Sequence, residues 1–214
     1  MWRAYASPIP NHNRRERGLR IPALPEGIRS NPTTLRQHQK NPMKQNITAV
    51  PIPLAGGATG WIHAGATRDI PPGYELIRCA QEIPVDEDRV AYDVSAPDFQ
   101  PLNRDVFTVI HSILDDLRVG RRLYVGCMGG TGRTGTLLSL LVATHPAFTA
   151  DRAIGYIRQV YRPHAVEKDT QAEQIRQWHD INSEFDALGV PAPALGSECL
   201  PLSFWDRVKY LLGV

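Results

Sequence analysis

The 214-residue chain has only three cysteines, Cys79, Cys127 and Cys199. A small and odd number of cysteines does not fit the disulfide framework of a small secreted domain. It also lacks any run of about 18 apolar residues, so no transmembrane helix is predicted. The N-terminal residues do not contain the apolar stretch that a secretory signal peptide requires. The sequence therefore predicts a cytoplasmic protein with free thiols.

Charge is distributed unevenly along the chain. Residues 1–45 contain nine Lys and Arg against two Glu, a net charge of +7, whereas the other 15 basic and 20 acidic residues give −5. Residues 1–45 also contain six prolines and show almost no apolar periodicity, which predicts an irregular basic arm. A solvated tail is the simplest interpretation, with docking to an acidic partner as the alternative.

From residue 46 the pattern changes to that of a folded domain. Short apolar runs bounded by Pro and Gly predict strands at 47–54, 60–63, 74–80, 89–94 and 123–125. Apolar residues at three- and four-residue spacing or in a long run predict helices at 103–118, 134–144, 151–160 and 170–188, with Asp151 as the N-cap of the third. We expect an α/β domain over residues 46–188, with a mainly parallel or mixed central sheet flanked by helices. Residues 189–214 are predicted to form a linker and an amphipathic C-terminal helix.

A glycine-rich turn between the 123–125 strand and the next helix is the strongest functional signal. Such a turn points backbone N–H groups into one hollow at a helix N-terminus, which suits a phosphate group. The predicted cradle consists of Met128, Gly129, Gly130, Thr131, Gly132 and Arg133. The guanidinium of Arg133 can bind two phosphate oxygens. Cys127 lies at the mouth of the hollow, where a thiolate would be stabilised as a nucleophile, and the hydroxyl of Thr134 can donate to its sulfur.

The segment Cys127-x5-Arg133-Thr134 resembles the signature of the cysteine-dependent protein tyrosine and dual-specificity phosphatases, and the compact or atypical dual-specificity branch fits best. The resemblance implies the phosphatase fold without metal or cofactor. It also implies hydrolysis of phosphotyrosine, and in this branch of phosphoserine and phosphothreonine, in a phosphorylated protein through a cysteinyl-phosphate intermediate. Most members have His before the catalytic Cys, which helps to orient the loop, but this chain has Gly126.

The resemblance also implies roles for residues outside the loop. The family uses an Asp on a mobile loop as general acid, and Asp93, 34 residues before Cys127, is the first choice, with Asp98 as the alternative. Residues 162–171 are similar to the family's Arg-Pro-x-x-Val-Glu-x-x-x-Gln stretch, in which Gln171 would position the hydrolytic water, unless it only makes surface polar contacts. Cys79 would be a redox partner of Cys127 if their strands are neighbours, and is otherwise a buried structural thiol.

Other functions compete with this interpretation. The spacing of Gly130, Gly132 and Gly135 matches a dinucleotide-binding fingerprint, but the following segment is a poor second strand. A Walker loop is excluded because Cys127 stands where Gly is needed and Arg133 replaces Lys. Two alternatives remain: a weakly active phosphate-binding module, and a phosphatase of a phosphoinositide, an inositol phosphate or an RNA 5′ phosphate, for which the basic arm is suited.

Overall fold

A computed structural model describes residues 47–188 of the chain. Two predictions concern residues outside this range. One is the basic arm and its docking to an acidic partner, and the other is the C-terminal linker and helix, which contain Cys199. Within residues 47–188 the chain forms five strands and four helices. In chain order they are β1 (Thr48–Pro53), β2 (Thr59–Ala66), β3 (Glu75–Ala80), β4 (Val90–Ala96), α1 (Val106–Arg118), β5 (Leu123–Cys127), α2 (Gly132–Ala143), α3 (Ala150–Val160) and α4 (Asp169–Leu188).

The strands form one mixed sheet in the order β1-β2-β5-β3-β4. β2, β5, β3 and β4 run parallel to one another, and β1 pairs with β2 in the antiparallel direction. This arrangement confirms the predicted α/β class with a mainly parallel sheet. Because parallel strands end at the same edge of a sheet, the carboxyl ends of β2, β3 and β4 converge around the end of central β5, where Cys127 lies.

The helices flank the sheet and bury the stripes that the sequence predicts. α2 follows β5 directly, and all of its residues are buried. α1 and α4 are amphipathic, and the ring of Phe107 on α1 stacks on Trp178 of α4 with centroids 5.4 Å apart. The predicted apolar face of α4 is buried throughout, with Ile175, Trp178, Ile181 and Phe185 in the core. Of the described helices, none combines the length and apolar character needed to cross a membrane.

Two boundaries differ from the predictions in ways that matter. Thr149, not Asp151, is the N-cap of α3, because its hydroxyl accepts a hydrogen bond of 3.4 Å from the backbone N–H of Arg152. Asp151 instead lies in the first turn of α3, where its negative charge interacts favourably with the positive end of the helix dipole. β4 also continues two residues past the predicted end, to Ala96, so that Asp93 lies inside the strand and not at its end.

Candidate active site

The loop between β5 and α2 forms the floor of a pocket of about 190 Å³ at the carboxyl edge of the sheet. Cys127 is the last residue of β5 and is only 3% exposed. The lining consists of Asp98, Phe99, Cys127, Met128, Gly129, Thr131, Gly132, Arg133, Glu167 and Gln171. The structure therefore brings most of the predicted cradle into one pocket with the predicted nucleophile.

Two glycines of the loop are required by close approach of other backbone and side-chain atoms. Gly130 has a φ of +67°, and a Cβ at this position would lie 2.3 Å from the carbonyl carbon of Gly65. A Cβ on Gly132 would lie 2.3 Å from Oε2 of Glu167. The loop is thus pressed between the end of β2 and the segment before α4. No larger residue fits at position 130, and one at position 132 requires the Glu167 side chain to move.

Donors behind the loop fix the direction of its peptide groups. Nη1 of Arg162 donates to the carbonyl of Gly129 at 2.6 Å and to Oγ1 of Thr131 at 3.1 Å. The hydroxyl of Tyr161 donates to the carbonyl of Gly130. Because C=O and N–H point in opposite directions in a trans peptide, each carbonyl bound from outside turns the following N–H the other way. The result is a set of oriented amides suited to an anion.

Arg133 is the buried cation of the pocket, only 2% exposed. Its Nη atoms bind both carboxylate oxygens of Glu82, at 2.7 and 2.6 Å, and the carbonyl of Ala96 at 2.6 Å. Nη2 also donates to Oδ1 of Asp98 at 2.9 Å. Burial opposes the charge, but the bonds to Glu82 and the nearby negative charges outweigh it and raise the pKa of Arg133. In return, the hydrogen bond from Arg133 lowers the pKa of Glu82.

Glu82 is a site residue that the sequence analysis missed. It follows β3 by two residues and reaches Arg133 across 51 positions of sequence. The only available signal is its place just after a strand that ends at the carboxyl edge of the sheet. That signal is weak, because Asp86, Glu87 and Asp88 follow in the same acidic segment.

The two candidate acids occupy different environments. Asp93 lies on β4 with 48% of its side chain exposed; its Oδ2 is 3.5 Å from Nη1 of Arg78, and its Oδ1 accepts from the N–H of Ser95 at 2.9 Å. Asp93 is not among the residues that line the pocket, whereas Asp98 is. The structure therefore brings Asp98 together with Cys127 and Arg133, whereas Asp93, on β4, is not part of the pocket lining.

Gln171 lines the pocket and is engaged at both ends of its amide. Its Oε1 accepts from the N–H groups of Glu167 and Lys168, at 2.9 and 3.3 Å, and its Nε2 donates to the carbonyl of Gln100 at 3.2 Å. Three residues on, Gln174 exchanges two hydrogen bonds with the backbone of Leu102, at 2.9 and 2.7 Å. α4 thus holds the chain segment that follows Asp98.

Thr134 and Cys79 are both fully buried near the loop. Thr134 follows the loop in sequence, and Cys79 lies on the strand next to β5. Among the described residues, the hydroxyl of Thr134 in the first turn of α2 has no hydrogen-bond partner. β3 is a direct neighbour of β5, and Arg78 of β3 pairs with Gly126 of β5. Cys79 and Cys127 are the next residues on the two strands. Burial, and then the charge of Cys127, raise the pKa of the Cys79 thiol well above its usual range.

The rim of the pocket combines apolar and acidic groups. Phe99 and Met128 are 49% and 47% exposed, and Nζ of Lys168 lies 4.8 Å from the centroid of the Phe99 ring. The lining contains two carboxylates, Asp98 and Glu167, beside the single cation Arg133. Across residues 47–188, no group of three or more His, Cys, Asp or Glu side chains is arranged to hold a metal ion. The pocket thus combines one buried cation with an apolar wall at its rim.

No protein-family model matches the chain. A curated relative, the uncharacterized protein MJECL20 of Methanocaldococcus jannaschii, is 31% identical over 78 residues, which cover 36% of this chain and 51% of that protein. The match thus spans about half the length of the curated relative.

Solved structures similar to this one are phosphatases. Kinase associated phosphatase, with its catalytic cysteine replaced by serine, gives a TM-score of 0.50 at 13% identity over 64% of this chain and 96% of that chain. A mutant form of Tk-PTP gives 0.49 at 20% identity over 64% and 97%, and PTPMT1 in complex with PI(5)P gives 0.49 at 15% identity over 58% and 94%. The described domain therefore shares its fold with kinase associated phosphatase.

Proposed function

We propose that this protein is a cysteine-dependent phosphatase that hydrolyses phosphomonoesters through a cysteinyl-phosphate intermediate. The observation that carries the proposal is the position of Cys127 on the floor of a pocket whose loop amides are oriented from behind and whose wall holds the buried guanidinium of Arg133. An anion bound by these donors has its phosphorus atom facing the sulfur, which is the arrangement that nucleophilic attack requires.

Binding of two phosphate oxygens by Arg133 requires the guanidinium to exchange a partner, because a pair of parallel N–H groups includes at least one Nη atom. Both Nη atoms already make two hydrogen bonds each, to Glu82, the carbonyl of Ala96 and Asp98. The bond to Asp98 goes to an exposed carboxylate and is the one that a phosphate oxygen displaces, while Glu82 keeps the guanidinium plane in place. Displacement leaves Asp98 in the pocket beside the bound ester, where its carboxylate takes up one proton from solvent before it acts as the acid.

The first chemical step transfers the phosphoryl group to the protein. The thiolate of Cys127 attacks phosphorus, the bond from phosphorus to the ester oxygen breaks, and the departing oxygen takes a proton from the carboxyl group of Asp98. The products are cysteinyl-phosphate, a free alcohol or phenol, and the carboxylate of Asp98. Charge on the transferred group is balanced by Arg133 and the loop amides.

The second step hydrolyses the intermediate. Water attacks phosphorus and gives its proton to the carboxylate of Asp98, and the bond between sulfur and phosphorus breaks to release phosphate and restore the thiolate. The second Nε2 hydrogen of Gln171 is assigned to this water, because Nε2 lies against the cradle, 3.2 Å from where a Cβ on Gly132 would be. The hydroxyl of Thr134, which lacks another partner among the described residues, is assigned as donor to the leaving sulfur.

The lining favours phosphotyrosine in a protein as the substrate. Phe99 and Met128 provide an apolar wall against which an aromatic ring can stack, and the pocket has one anion site. The lining formed by the described residues contains one cation, Arg133, and offers no second cation to the additional phosphates of a polyphosphorylated inositol or an RNA 5′ end. Phosphoserine and phosphothreonine lack the ring and should be poorer substrates.

Hydrolysis assays test the proposal directly. The full chain is assayed with phosphotyrosine and phosphoserine peptides, a phosphoinositide, an inositol phosphate and a 5′-phosphorylated RNA under reducing conditions. Cys127→Ser should abolish turnover and retain phosphate binding, whereas Cys79→Ala, a matched change of the other described cysteine, should retain turnover. An inactive wild-type chain that still binds phosphate would instead support the phosphate-binding module.

We further propose that Cys79 protects Cys127 from irreversible oxidation. Peroxide converts the Cys127 thiolate to a sulfenic acid, and attack of the Cys79 thiol on that sulfur releases water and forms a disulfide. The neighbouring positions of the two residues on adjacent parallel strands support this proposal, since adjacent strands bring Cα atoms within the range that a disulfide spans. The raised pKa of Cys79 makes the attack slow at neutral pH.

A further inference from the structure

Thr67 lies directly behind the residue that precedes the nucleophile. It follows β2, whose last residue Ala66 pairs with Cys127, and it begins a single turn over Thr67–Asp69. A Cβ on Gly126 would lie 2.8 Å from Oγ1 of Thr67 and 2.9 Å from its Cα. Because one of these contacts is with the main chain, no side chain fits at position 126 while the Thr67 segment is in place.

The hydroxyl of Thr67 acts on the peptide group that opens the cradle. Thr67 is 4% exposed, and its Oγ1 donates to the carbonyl of Cys127 at 3.3 Å. A donor that holds this carbonyl directs the N–H of Met128, on the same trans peptide, to the opposite side. Thr67 therefore completes a set of external donors in which Arg162 and Tyr161 hold the carbonyls of Gly129 and Gly130.

We propose that Thr67 is a positioning residue that orients the first amide of the phosphate cradle, and so replaces from behind the loop the support that a His at position 126 would give. The inference rests on the proposed function of the loop as a phosphate site. The proposed role explains two features of the structure. The glycine at position 126 makes room for Thr67, and the buried hydroxyl of Thr67 forms a hydrogen bond to a residue 60 positions away in the sequence.

Binding of inorganic phosphate to the full chain tests this role by calorimetry. Thr67→Val keeps the shape of the side chain and removes the donor, so the dissociation constant for phosphate should rise about five-fold, as expected for one hydrogen bond. Thr67→Ser restores the donor and should bind within about two-fold of wild type. Thr144→Val is the control, because its hydroxyl also donates to a backbone carbonyl, that of Leu140 at 3.0 Å, but at the opposite end of α2, where it also accepts from Nε1 of Trp178 at 3.0 Å. That control should lower the melting temperature without changing phosphate affinity.

The outcomes separate a positioning role from a structural one. Wild-type affinity in Thr67→Val, or an equal loss of affinity in Thr67→Val and Thr144→Val, would overturn the assignment. A loss in Thr67→Val that Thr67→Ser does not recover would do so as well. Since the measurement is phosphate binding and not turnover, a chain that binds phosphate but hydrolyses no ester would contradict the proposed function and leave the role of Thr67 intact.

Discussion

Oδ1 of Asp98 and Nη2 of Arg133 form an ion pair of 2.9 Å in the wall of the pocket that contains Cys127. The proposed acid and the proposed phosphate-binding cation therefore hold each other through the donor that a phosphate oxygen would use. Binding of the ester and release of the acid become one event, because both depend on the same N–H group. Asp93, five positions earlier, pairs with Arg78 and has no such link to the pocket.

Substitution of the two aspartates should separate their roles. Asp98→Asn removes the proton donor, and kcat for a phosphotyrosine peptide should fall about 100-fold, within the range for general acid catalysis. Asp93→Asn, the same change outside the pocket, should leave kcat within about two-fold of wild type, because surface ion pairs contribute little. Steady-state rates across pH 5 to 8 measure both effects.

The leaving group provides an internal control for the Asp98 prediction. Nitrophenolate is a weaker base than the phenolate of tyrosine, so it depends less on a proton when it leaves. Asp98→Asn should therefore affect hydrolysis of nitrophenyl phosphate far less than that of phosphotyrosine. An equal loss with both substrates would indicate that Asp98 supports binding and not proton transfer. A larger loss in Asp93→Asn than in Asp98→Asn would return the acid role to Asp93.

Glu82 should support both substrate binding and stability through Arg133. Glu82→Gln breaks the paired hydrogen bonds that fix the guanidinium plane, and we expect kcat/KM to fall about ten-fold. Because Arg133 lowers the pKa of Glu82, the pair stabilises the fold fully above the ordinary pKa of about 4.3, and that stability is lost as pH falls through the lowered value. The difference in melting temperature between wild type and Glu82→Gln should thus be larger at pH 7 than at pH 3.

Glu87→Gln is the matched control for that experiment. Glu87 pairs with Arg78 at 3.2 Å, but 73% of its side chain is exposed. Its substitution should change neither kcat/KM nor the pH dependence of melting measurably, since an exposed pair is screened by solvent. Equal effects of the two substitutions would mean that the bond between Glu82 and Arg133 has no special role.

Adding a methyl group at two glycines should have opposite effects. Gly126→Ala forces a Cβ against Thr67 and should destabilise the fold by about 1–3 kcal/mol, as overpacking does, with loss of phosphate binding. Gly155→Ala, on α3, meets nothing within 4 Å and should stabilise the protein by about 1 kcal/mol through helix propensity. Chemical denaturation measures both; a Gly126→Ala variant as stable as wild type would contradict the close contact.

Mild peroxide treatment should distinguish a redox role of Cys79 from a structural one. In the wild-type chain we expect an intact-mass loss of two hydrogens and recovery of activity with a thiol reductant. Cys79→Ser should instead accumulate sulfinic acid on Cys127 and lose activity irreversibly. Sulfinic acid on Cys127 in the wild type, with no loss of two hydrogens, would show that Cys79 is only a buried core residue.

The fold and the loop between β5 and α2 were predictable because their signals are local. The apolar stripe of α1 and the short buried run of β5 show their periods within a few residues, and Cys127 and Arg133 lie on one continuous segment. The choice between Asp93 and Asp98 rested on their distance from Cys127 in the sequence. Which of them approaches Arg133 depends on how the chain leaves β4, an edge strand whose end is poorly marked in the sequence.

The supporting residues could not be predicted from local patterns. Thr67 and Glu82 reach the loop across 60 and 51 positions of sequence, and neither belongs to a motif. Their roles follow from the strand order, which places the ends of β2 and β3 on either side of β5. Pairing of strands that are distant in sequence is the information that periodicity does not contain.

The hydrogen bonds of Gln174 to Leu102 limit how far Asp98 can travel. On the other side of the acid, the carbonyl of Ala96 is held by Arg133 and by the N–H of Gln81. Four residues from Asp98 to Leu102 extend to at most about 14 Å, so the acid moves on a short tether anchored at both ends. Release of Asp98 from Arg133 is therefore a local movement of the chain between two fixed points, Ala96 and Leu102.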